Sequence, residues 1–361
     1  MKYPVYIPDL TEKESDNVND CLKSTWISSR GKYIDEFEKS MCNFTGCKNA
    51  LAVSNGTVAL HLALLALDIK RGDEVIVPDF TYIATANAVL YVGATPVFAD
   101  VDPYSWNITA QTIRKLITPK TKAIIVVDVY GCPVDIDSII DIAVENNIFI
   151  IEDAAESLGA TYKNRKAGNL GHISTLSFFG NKTITTGEGG MVLTNNKKLA
   201  DKIAQLKNQG NSNSIRYFHD VLGYNYRMTN IQAAIGCAQM ERIDKIIQRK
   251  TDIFNFYKKR LLNKVVFQSI DSNTSSSYWM IAFKVKDKAT KDGLMKHLEL
   301  CGIETRPFFF PVSDMPFYSK TNTPISKELS ETGVIVPSYP SLSDEDLIFI
   351  TEKIIDYLSN K

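Results

Sequence analysis

The sequence carries no excess of charge of either sign. Its 361 residues contain 41 Lys and Arg side chains and 41 Asp and Glu side chains, so the formal net charge at pH 7 is zero. Proteins that bind nucleic acid through its phosphates usually have a clear basic excess, because each phosphate contact uses a Lys or Arg. The composition therefore argues against a nucleic-acid-binding protein.

Long apolar runs are also absent from the sequence. A helix that spans a bilayer needs about 18 or more consecutive apolar residues, and no run approaches that length. The N-terminal stretch MKYPVYIPDLTEKES has prolines and acidic residues where a secretory signal needs an apolar core. We therefore expect no membrane span, no membrane partner and a cytoplasmic location.

Metal-ligating residues are few and poorly spaced for a metal site. There are six cysteines and four histidines. No cysteines form a CxxC pair, and no second pair joins Cys42 and Cys47 to complete a zinc site. We expect reduced thiols in a cytosolic protein and no metal ion.

The sequence does contain an alternation of short apolar runs with helical patterns. Runs rich in Val and Ile predict buried strands over residues 73–78, 95–101, 122–130, 147–153, 174–179 and 189–195. Helical patterns lie between several of them, over residues 57–69, 81–93 and 135–147. This alternation predicts an α/β fold, with a mostly parallel sheet flanked by helices.

The pattern changes in the last third of the chain. A long helical stretch over residues 228–262 is predicted to bridge two domains, and a strand at 278–285 follows it. Helices are predicted near 289–301 and 343–359. We therefore predict a large domain over residues 1–240 and a smaller α+β C-terminal domain over residues 241–361.

The most informative residue is Lys182, in the stretch SFFGNKTITTGEGG. It lies among small and hydroxylated residues, just before a glycine-rich turn and a new apolar run. A lysine is a poor choice for a tight, partly buried turn, because removing its charge from water is costly. Its presence there calls for a chemical role.

Three other features could complete a site with Lys182. Ligands of open α/β sheets bind at the carboxyl ends of strands, and the predicted strand 147–153 ends in Asp153. The turn at Gly56 opens an apolar helix whose N-terminus suits a phosphate, and Tyr82 begins another helix, where its ring could cover a flat ligand. Each feature alone has an ordinary structural explanation. Asp153 could cap the segment after the strand, the turn at Gly56 could simply cap the helix that follows it, and Tyr82 could be a packed tyrosine.

Together these features, with Ser177 and Lys182, match the needs of pyridoxal phosphate. Asp153 would pair with the pyridine nitrogen and keep it protonated, which makes the ring an electron sink. Lys182 would form a Schiff base with the aldehyde carbon, its amine made nucleophilic by partial desolvation. As an imine, the lysine no longer brings a free, unpaired charge into the site.

Three longer motifs then carry a resemblance to a known family. They are IEDAAE, SFFGNKTITTGEGGMV and GYNYRMTNIQAAIG. Together they resemble the DegT/DnrJ/EryC1/StrS family of sugar aminotransferases. The stretches STWISSRGKYIDEFE, VSNGTVALHLALLAL and GDEVIVPDFTYIATANAV resemble its GDP-perosamine synthase branch, and the similarity covers nearly the whole chain.

The resemblance implies a fold-type I aminotransferase that forms a homodimer with active sites at the subunit interface. By position, it makes Lys182 the Schiff-base lysine and Asp153 the partner of the ring nitrogen. The other matched cofactor contacts are Tyr82 (stacking), Gly56, Thr57 and Ser177 (phosphate), Asn225 (phosphate, from the neighbouring subunit) and Glu156 (beside the ring). Dehydratase relatives have a histidine in place of Lys182, so the lysine argues for amino transfer.

The sequence departs from that branch at three positions. Perosamine synthases tend to read HLYGHP where this chain reads DVYGCP, and PVH or PLH where it reads PVS. Histidines are thus missing at Asp128, Cys132 and Ser313. The resemblance places Ser313 in a segment that approaches the substrate. Arg227 and Arg306 are further candidates for binding an anionic substrate, although a salt bridge or surface charge explains each equally well.

The leading hypothesis is transfer of an amino group from L-glutamate to a keto-sugar. The resemblance points to a nucleotide-linked 4-keto-6-deoxy sugar, with GDP-4-keto-6-deoxymannose the nearest named compound, for surface polysaccharide. The altered histidine positions leave open the same chemistry on a small phosphorylated ketose. A non-catalytic regulator that keeps the fold and binds pyridoxal phosphate is the alternative from a different class.

Overall fold

The computed structural model describes residues 1–212 and 214–359. In chain order, the strands of these residues are β1 (Asn49–Val53), β2 (Glu74–Pro78), β3 (Thr95–Ala99), β4 (Thr121–Val127), β5 (Phe149–Asp153), β6 (Thr161–Tyr162), β7 (Arg165–Lys166), β8 (Ile173–Ser177), β9 (Gly190–Thr194), β10 (Val266–Phe267), β11 (Thr274–Ser275), β12 (Ile281–Lys284), β13 (Arg306–Pro307) and β14 (Gly333–Val336). Among these residues, no helix is long and apolar enough to cross a membrane.

The α-helices flank and connect these strands. In chain order they are α1 (Glu12–Ser24), α2 (Lys32–Thr45), α3 (Gly56–Ala66), α4 (Ala84–Tyr91), α5 (Ala110–Arg114), α6 (Ile136–Asn146), α7 (Lys197–Lys207), α8 (Asn230–Met240), α9 (Ile243–Arg260), α10 (Lys288–Leu300), α11 (Pro324–Thr332) and α12 (Asp344–Ser359). Short 3₁₀ turns lie at Val129–Gly131 and Val312–Asp314.

The main sheet has seven strands in the order β1-β9-β8-β5-β4-β2-β3. Strands β8, β5, β4, β2 and β3 pair in parallel, and β9 pairs antiparallel with both of its neighbours. The predicted α/β fold with a mostly parallel sheet is therefore confirmed. Each of the six predicted strands of this sheet is present, and β1 is a seventh that the pattern did not reveal.

Apolar residues bury this sheet on both faces. Along β4, Ile124 and Val126 belong to one core, whereas Ala123 and Ile125 belong to the core on the other side. A parallel sheet needs this double cover because its connecting helices lie on both faces. In β5, the carboxylates of Glu152 and Asp153 lie at the carboxyl end of the strand.

The predicted long helix over 228–262 is instead two helices, α8 and α9. No Gly or Pro interrupts the sequence between them, but Arg242 has a non-helical backbone (φ −118°, ψ 5°). Its guanidinium donates to the Asp9 carboxylate at 2.8 Å, to the Asp9 carbonyl at 2.6 Å and to Glu14 at 3.3 Å. These contacts with the N-terminal segment accompany the break, and no local sequence signal marks it.

A second sheet, of order β10-β12-β14-β13, lies in the last third of the chain. Its own apolar core includes Phe283, Val334 and Ile350. The N-terminal residues also pack here, because Tyr3 accepts a hydrogen bond from the Glu304 amide at 2.8 Å. The division at residue 240 stays a prediction.

Candidate active site

Asp153 stands at the carboxyl end of β5, the central position of the main sheet. It is buried, and it accepts hydrogen bonds from the Thr85 hydroxyl at 2.8 Å and from the Ala155 amide at 3.2 Å. Burial raises the pKa of Asp153, while the Thr85 hydroxyl and the positive charge of Lys182 act in the opposite direction. Because the carboxyl group of Asp153 is already buried, its pairing with a cationic ligand atom requires little further desolvation of the carboxyl group.

Lys182 lies in the loop between β8 and β9, and its backbone is tightly held. Its amide donates to the Phe179 carbonyl at 2.9 Å, and its own carbonyl accepts from the Tyr6 hydroxyl at 2.6 Å. Its side chain is only 13% exposed. Burial lowers the pKa of the Lys182 ammonium, and the negative charges of Glu156 and Asp153 partly oppose this. A lysine with a lowered pKa offers a neutral, nucleophilic amine.

Glu156 completes a buried cluster of charge. Its Oε1 is 3.9 Å from the Lys182 ammonium nitrogen, and its Oε2 accepts from the Tyr130 amide at 2.8 Å. Burial raises the pKa of Glu156 to about 7, against the attraction of Lys182. Tyr130 itself adopts the left-handed region (φ 55°), a backbone state that is uncommon for a non-glycine residue.

The N-terminus of α3 meets the end of β8 beside this cluster. A Cβ on Gly56 would lie 2.8 Å from the Ser177 Cβ, so only glycine permits this approach. Asn55 caps the helix by accepting from the Val58 amide at 3.0 Å. The amides of Gly56 and Thr57 begin the helix, where N–H groups have no intrahelical acceptor. These amides and the Ser177 hydroxyl suit an anion.

Tyr82 precedes α4 and presents its ring to the surface. It is 60% exposed, and its ring centroid is 6.3 Å from that of Phe309. It follows Asp79 and Phe80 at the end of β2, two strands from Asp153 in the sheet order. An exposed aromatic face in this position is available to a flat ligand.

The remaining predicted residues do not join this cluster. Asn225 is exposed and accepts from the Arg227 guanidinium at 3.2 Å, and Arg306 donates to Glu304 at 3.3 Å. Ser313 is 1% exposed, and its amide and hydroxyl both donate to Asp79, at 2.7 and 2.8 Å. Its hydroxyl would have to leave Asp79 before it could meet a substrate.

Asp128 and Cys132, the two other positions at which the sequence departs from the expected perosamine-synthase pattern, are also buried. Asp128 accepts from the Ser157 hydroxyl at 2.7 Å and the Val134 amide at 3.1 Å, and the Cys132 side chain is buried beside it. Burial raises the pKa of Asp128 well above its ordinary value, and the nearby charge of Glu152 adds to this. Both side chains therefore belong to the packing behind the site.

Several residues of the site escaped the sequence analysis. Thr85 bonds Asp153, Tyr6 bonds the Lys182 carbonyl, and Trp279 places its ring over the Lys182 ammonium, 4.1 Å from the centroid. Thr85 could have been suspected, because it lies on the first turn of a helix at the carboxyl edge of the sheet. Tyr6 and Trp279 are far from Lys182 in sequence, and no motif links them to it.

These residues fit pyridoxal phosphate on the chemistry of their donors and acceptors. The cluster supplies an amine of lowered pKa, a buried carboxyl for a pyridinium nitrogen and a glycine-lined anion cradle at a helix N-terminus. An exposed aromatic ring lies at its rim. Among the described residues, no group of three or more His, Cys, Asp or Glu side chains could hold a metal ion.

The raised pKa of Glu156 predicts a pH-dependent effect of Glu156→Gln on the cofactor-free protein. The folded state holds this proton more tightly than the unfolded chain, so wild type loses stability as pH rises from the ordinary carboxyl pKa towards about 7. Glutamine does not titrate. The difference in free energy of unfolding between the variant and wild type, measured in urea, should therefore shift in favour of the variant between about pH 5 and about pH 8. The shift should be up to roughly 3 kcal/mol.

Loss of the negative charge of Glu156 should also lower the pKa of Lys182 further. The folded variant then releases the Lys182 proton at a lower pH than wild type does, and this again favours the stability of the variant at the higher pH. Glu299→Gln, at an exposed position of α10, is the matched control. Equal effects of the two variants at both pH values would show that Glu156 titrates normally.

Comparison with known proteins places this geometry in a family. Residues 8–355 match the model of the DegT/DnrJ/EryC1/StrS aminotransferase family. The chain is 50% identical to GDP-perosamine synthase of Escherichia coli O157:H7 over 364 aligned positions, which cover 100% of both proteins. It is 46% identical to GDP-perosamine synthase of Vibrio cholerae, with 99% of each chain covered.

Solved structures agree with the sequence relatives. The protein Spr1654 of Streptococcus pneumoniae in its PLP form superposes with a TM-score of 0.94 and 26% identity, covering 100% of this chain and 99% of that one. The match extends over the main sheet, the smaller sheet and the loops that carry the site. The chain therefore belongs to the DegT/DnrJ/EryC1/StrS aminotransferase family.

Proposed function

We propose that this enzyme transfers an amino group from L-glutamate to the carbonyl carbon of a nucleotide-linked 4-keto-6-deoxy sugar. GDP-4-keto-6-deoxymannose is the first acceptor to test, and the product would serve surface polysaccharide synthesis. One observation carries the reaction type: a buried lysine of lowered pKa faces two buried carboxyl groups at the carboxyl edge of the sheet. The acceptor is supported by full-length identity of 50% and 46% to two GDP-perosamine synthases.

The cofactor is pyridoxal 5′-phosphate, which when bound supplies an aldehyde for the amino group and a ring that stabilises negative charge on the substrate carbon. Asp153 would hold the ring nitrogen protonated, and the exposed face of Tyr82 would cover the ring. Gly56 and Thr57 at the N-terminus of α3 and Ser177 at the end of β8 would hold the phosphate. The closeness of Gly56 to Ser177 supports this cradle.

The reaction also needs a group that moves a proton at the substrate carbon. Lys182 Nζ does this, because burial lowers its pKa towards the range in which an amine both accepts and returns a proton. Glu156 keeps a negative charge or a proton 3.9 Å from that nitrogen. Asp153 stays fixed through the Thr85 hydroxyl and the Ala155 amide.

The proposal includes a homodimer in which each subunit completes the other's site. Asn225 contacts the phosphate in the partner's site. It is exposed, at the end of a segment that carries apolar side chains to the surface: Tyr217 is 82% exposed and Leu222 84%. Apolar side chains so exposed suit burial against a second copy.

A cytoplasmic location is part of the same proposal. All six cysteines are free thiols, as expected in a reducing compartment.

A small phosphorylated ketose receives no specific support as the acceptor, because Asp128, Cys132 and Ser313 are all buried and face protein groups. Their departure from the family pattern does not by itself alter the acceptor side of the site.

Asp153→Asn tests the reaction type. The variant keeps the shape and the acceptor atom for Thr85 but loses the negative charge, so the half-reaction with L-glutamate should slow by about 100-fold or more. Stopped-flow absorbance of the cofactor measures this rate. Thr85→Val, which removes one hydrogen bond from Asp153, should slow it by only about ten-fold. If the rate of Asp153→Asn is within a few-fold of wild type, Asp153 has only the structural role of a helix cap.

The shared site predicts complementation between two inactive variants. Lys182→Ala and Asn225→Ala chains, mixed under conditions that exchange subunits, should recover up to about a quarter of wild-type activity, because half the dimers then contain one intact site. Mixing Lys182→Ala with Asp153→Asn is the control, since both residues belong to the same chain's half. No recovery in the first mixture, with exchange confirmed, contradicts a shared site.

The acceptor is identified by single turnover of the pyridoxamine form. GDP-4-keto-6-deoxymannose should restore the absorbance of the aldehyde form quickly, and small ketose phosphates should do so at least about 100-fold more slowly. The reverse order would overturn the acceptor proposal and leave the family assignment intact. If neither compound reacts while L-glutamate still converts the cofactor, the acceptor lies outside both classes.

A further inference from the structure

The indole ring of Trp279 makes two separate contacts with the loop that carries Lys182. The Lys182 ammonium nitrogen lies over the ring, 4.1 Å from its centroid. The indole N–H donates to the Asn181 carbonyl at 2.7 Å. Trp279 is 5% exposed and comes just before β12 of the second sheet. One side chain from the last third of the chain therefore holds both the backbone and the amine of the lysine loop.

The segment that carries Trp279 is itself fixed to the site. The Ser277 hydroxyl donates to the Glu156 carbonyl at 2.9 Å, and the Ser277 amide donates to the Gly131 carbonyl at 3.0 Å. A Cβ on Gly131 would lie 2.4 Å from the Ser277 hydroxyl oxygen. The Trp279 ring also stacks near Tyr130, with centroids 6.4 Å apart and an interplanar angle of 20°. The ring has little freedom to turn away from Lys182.

A cation close to an indole face is attracted by the negative charge density of the ring, most strongly where water is excluded. Lys182 occupies such a place, since burial lowers its pKa. The titratable groups that face it or its immediate partners are Asp153, Glu156, Tyr6, Tyr130 and Lys250, whose ammonium nitrogen lies 5.2 Å from the centroid of the Tyr6 ring. Trp279 adds attraction for the ammonium without adding a further titratable group.

We propose that Trp279 is a positioning residue for Lys182, whose indole face binds the free ammonium group and whose N–H fixes the loop. The ring gives the amine a defined place beside Glu156 whenever it is not bonded to the cofactor. Without the ring, only the charges of Glu156, at 3.9 Å, and of Asp153 would attract the ammonium group. The inference rests on Lys182 as the reactive lysine of the proposed function, and not on the identity of the acceptor.

The contact is tested by lowering the electron density of the ring without changing its shape. Wild-type protein is produced with mono- or difluorinated tryptophan at all three tryptophan positions and freed of cofactor. The reaction of Lys182 with an amine-labelling reagent is then followed across pH, by mass spectrometry of its peptide. Fluorination weakens the attraction for the ammonium form, so labelling on the acidic side of the profile should become about three- to ten-fold faster. The plateau rate at high pH should stay unchanged, because access to the amine is the same.

Two variants show which tryptophan is responsible. In Trp106→Phe, Trp279 remains, so the response to fluorination must persist; Trp106 is buried and its indole N–H has no partner among the described residues. In Trp279→Phe, fluorination of the other two tryptophans should have no effect on Lys182. An unchanged profile in fluorinated wild type, or loss of the response in Trp106→Phe, would overturn the proposal. Either result can be obtained even if Trp279→Phe does not fold.

This experiment separates the inference from the proposed function. The labelling profile is measured without cofactor or substrate, so it reports the contact between ring and ammonium whether or not the acceptor has been identified. If fluorination changes the labelling profile but the Lys182→Ala enzyme is active, the contact between Trp279 and Lys182 is supported and the proposed function is contradicted. An inactive Lys182→Ala enzyme without a fluorination response would keep the function and overturn the role of Trp279.

Discussion

The site depends on the burial of one ammonium group among carboxyl groups. Lys182 is the cation, and Asp153 and Glu156 are the acids, all at the carboxyl edge of the main sheet. Burial favours the neutral form of each, whereas their mutual attraction favours the charged forms. Burial is the larger effect on each group, so the pKa of the Lys182 ammonium falls while the pKa values of the two carboxyl groups rise, and the proton affinities of amine and acids come closer together. An aminotransferase needs this property, since its lysine must alternate between nucleophile, base and acid.

Holding the cluster in place requires parts of the chain that are remote from it. Tyr6 from the N-terminal segment bonds the Lys182 carbonyl, and Trp279 from the segment just before β12 covers its amine. The turn at Tyr130, in the left-handed region, aims its amide at Glu156. Strain of this kind persists only where the surrounding contacts outweigh it, and the packing of Gly131 against Ser277 supplies such contacts. The segment just before β12, which carries Ser277 and Trp279, therefore supports the site as well as leading into the second sheet.

The sequence analysis found Lys182 and Asp153, which the structure brings close together, but missed the residues that support them. The six predicted strands of the main sheet are confirmed, because buried parallel strands leave a strong apolar signal. Lys182 and Asp153 stood out because a charged residue next to an apolar run is costly without a role. Trp279 bonds a residue 98 positions away and Tyr6 one 176 positions away, and no local pattern encodes such contacts. The break at Arg242 was missed for the same reason, since it accompanies tertiary bonds to Asp9 and Glu14 and no Gly or Pro marks it.

The three positions at which the sequence departs from the expected perosamine-synthase pattern acquire a different meaning in the structure. Asp128 binds the Ser157 hydroxyl, in the turn that also carries Glu156, and Ser313 binds Asp79 at the end of β2. These side chains hold the loops behind the site in place. A substitution at these positions therefore changes the packing of a loop and does not directly change a contact with the substrate. Differences in acceptor recognition are therefore to be sought among exposed side chains at the rim. Tyr82 and Phe310, each 60% exposed, are the first candidates, because both adjoin Phe309 and neither is committed to the core.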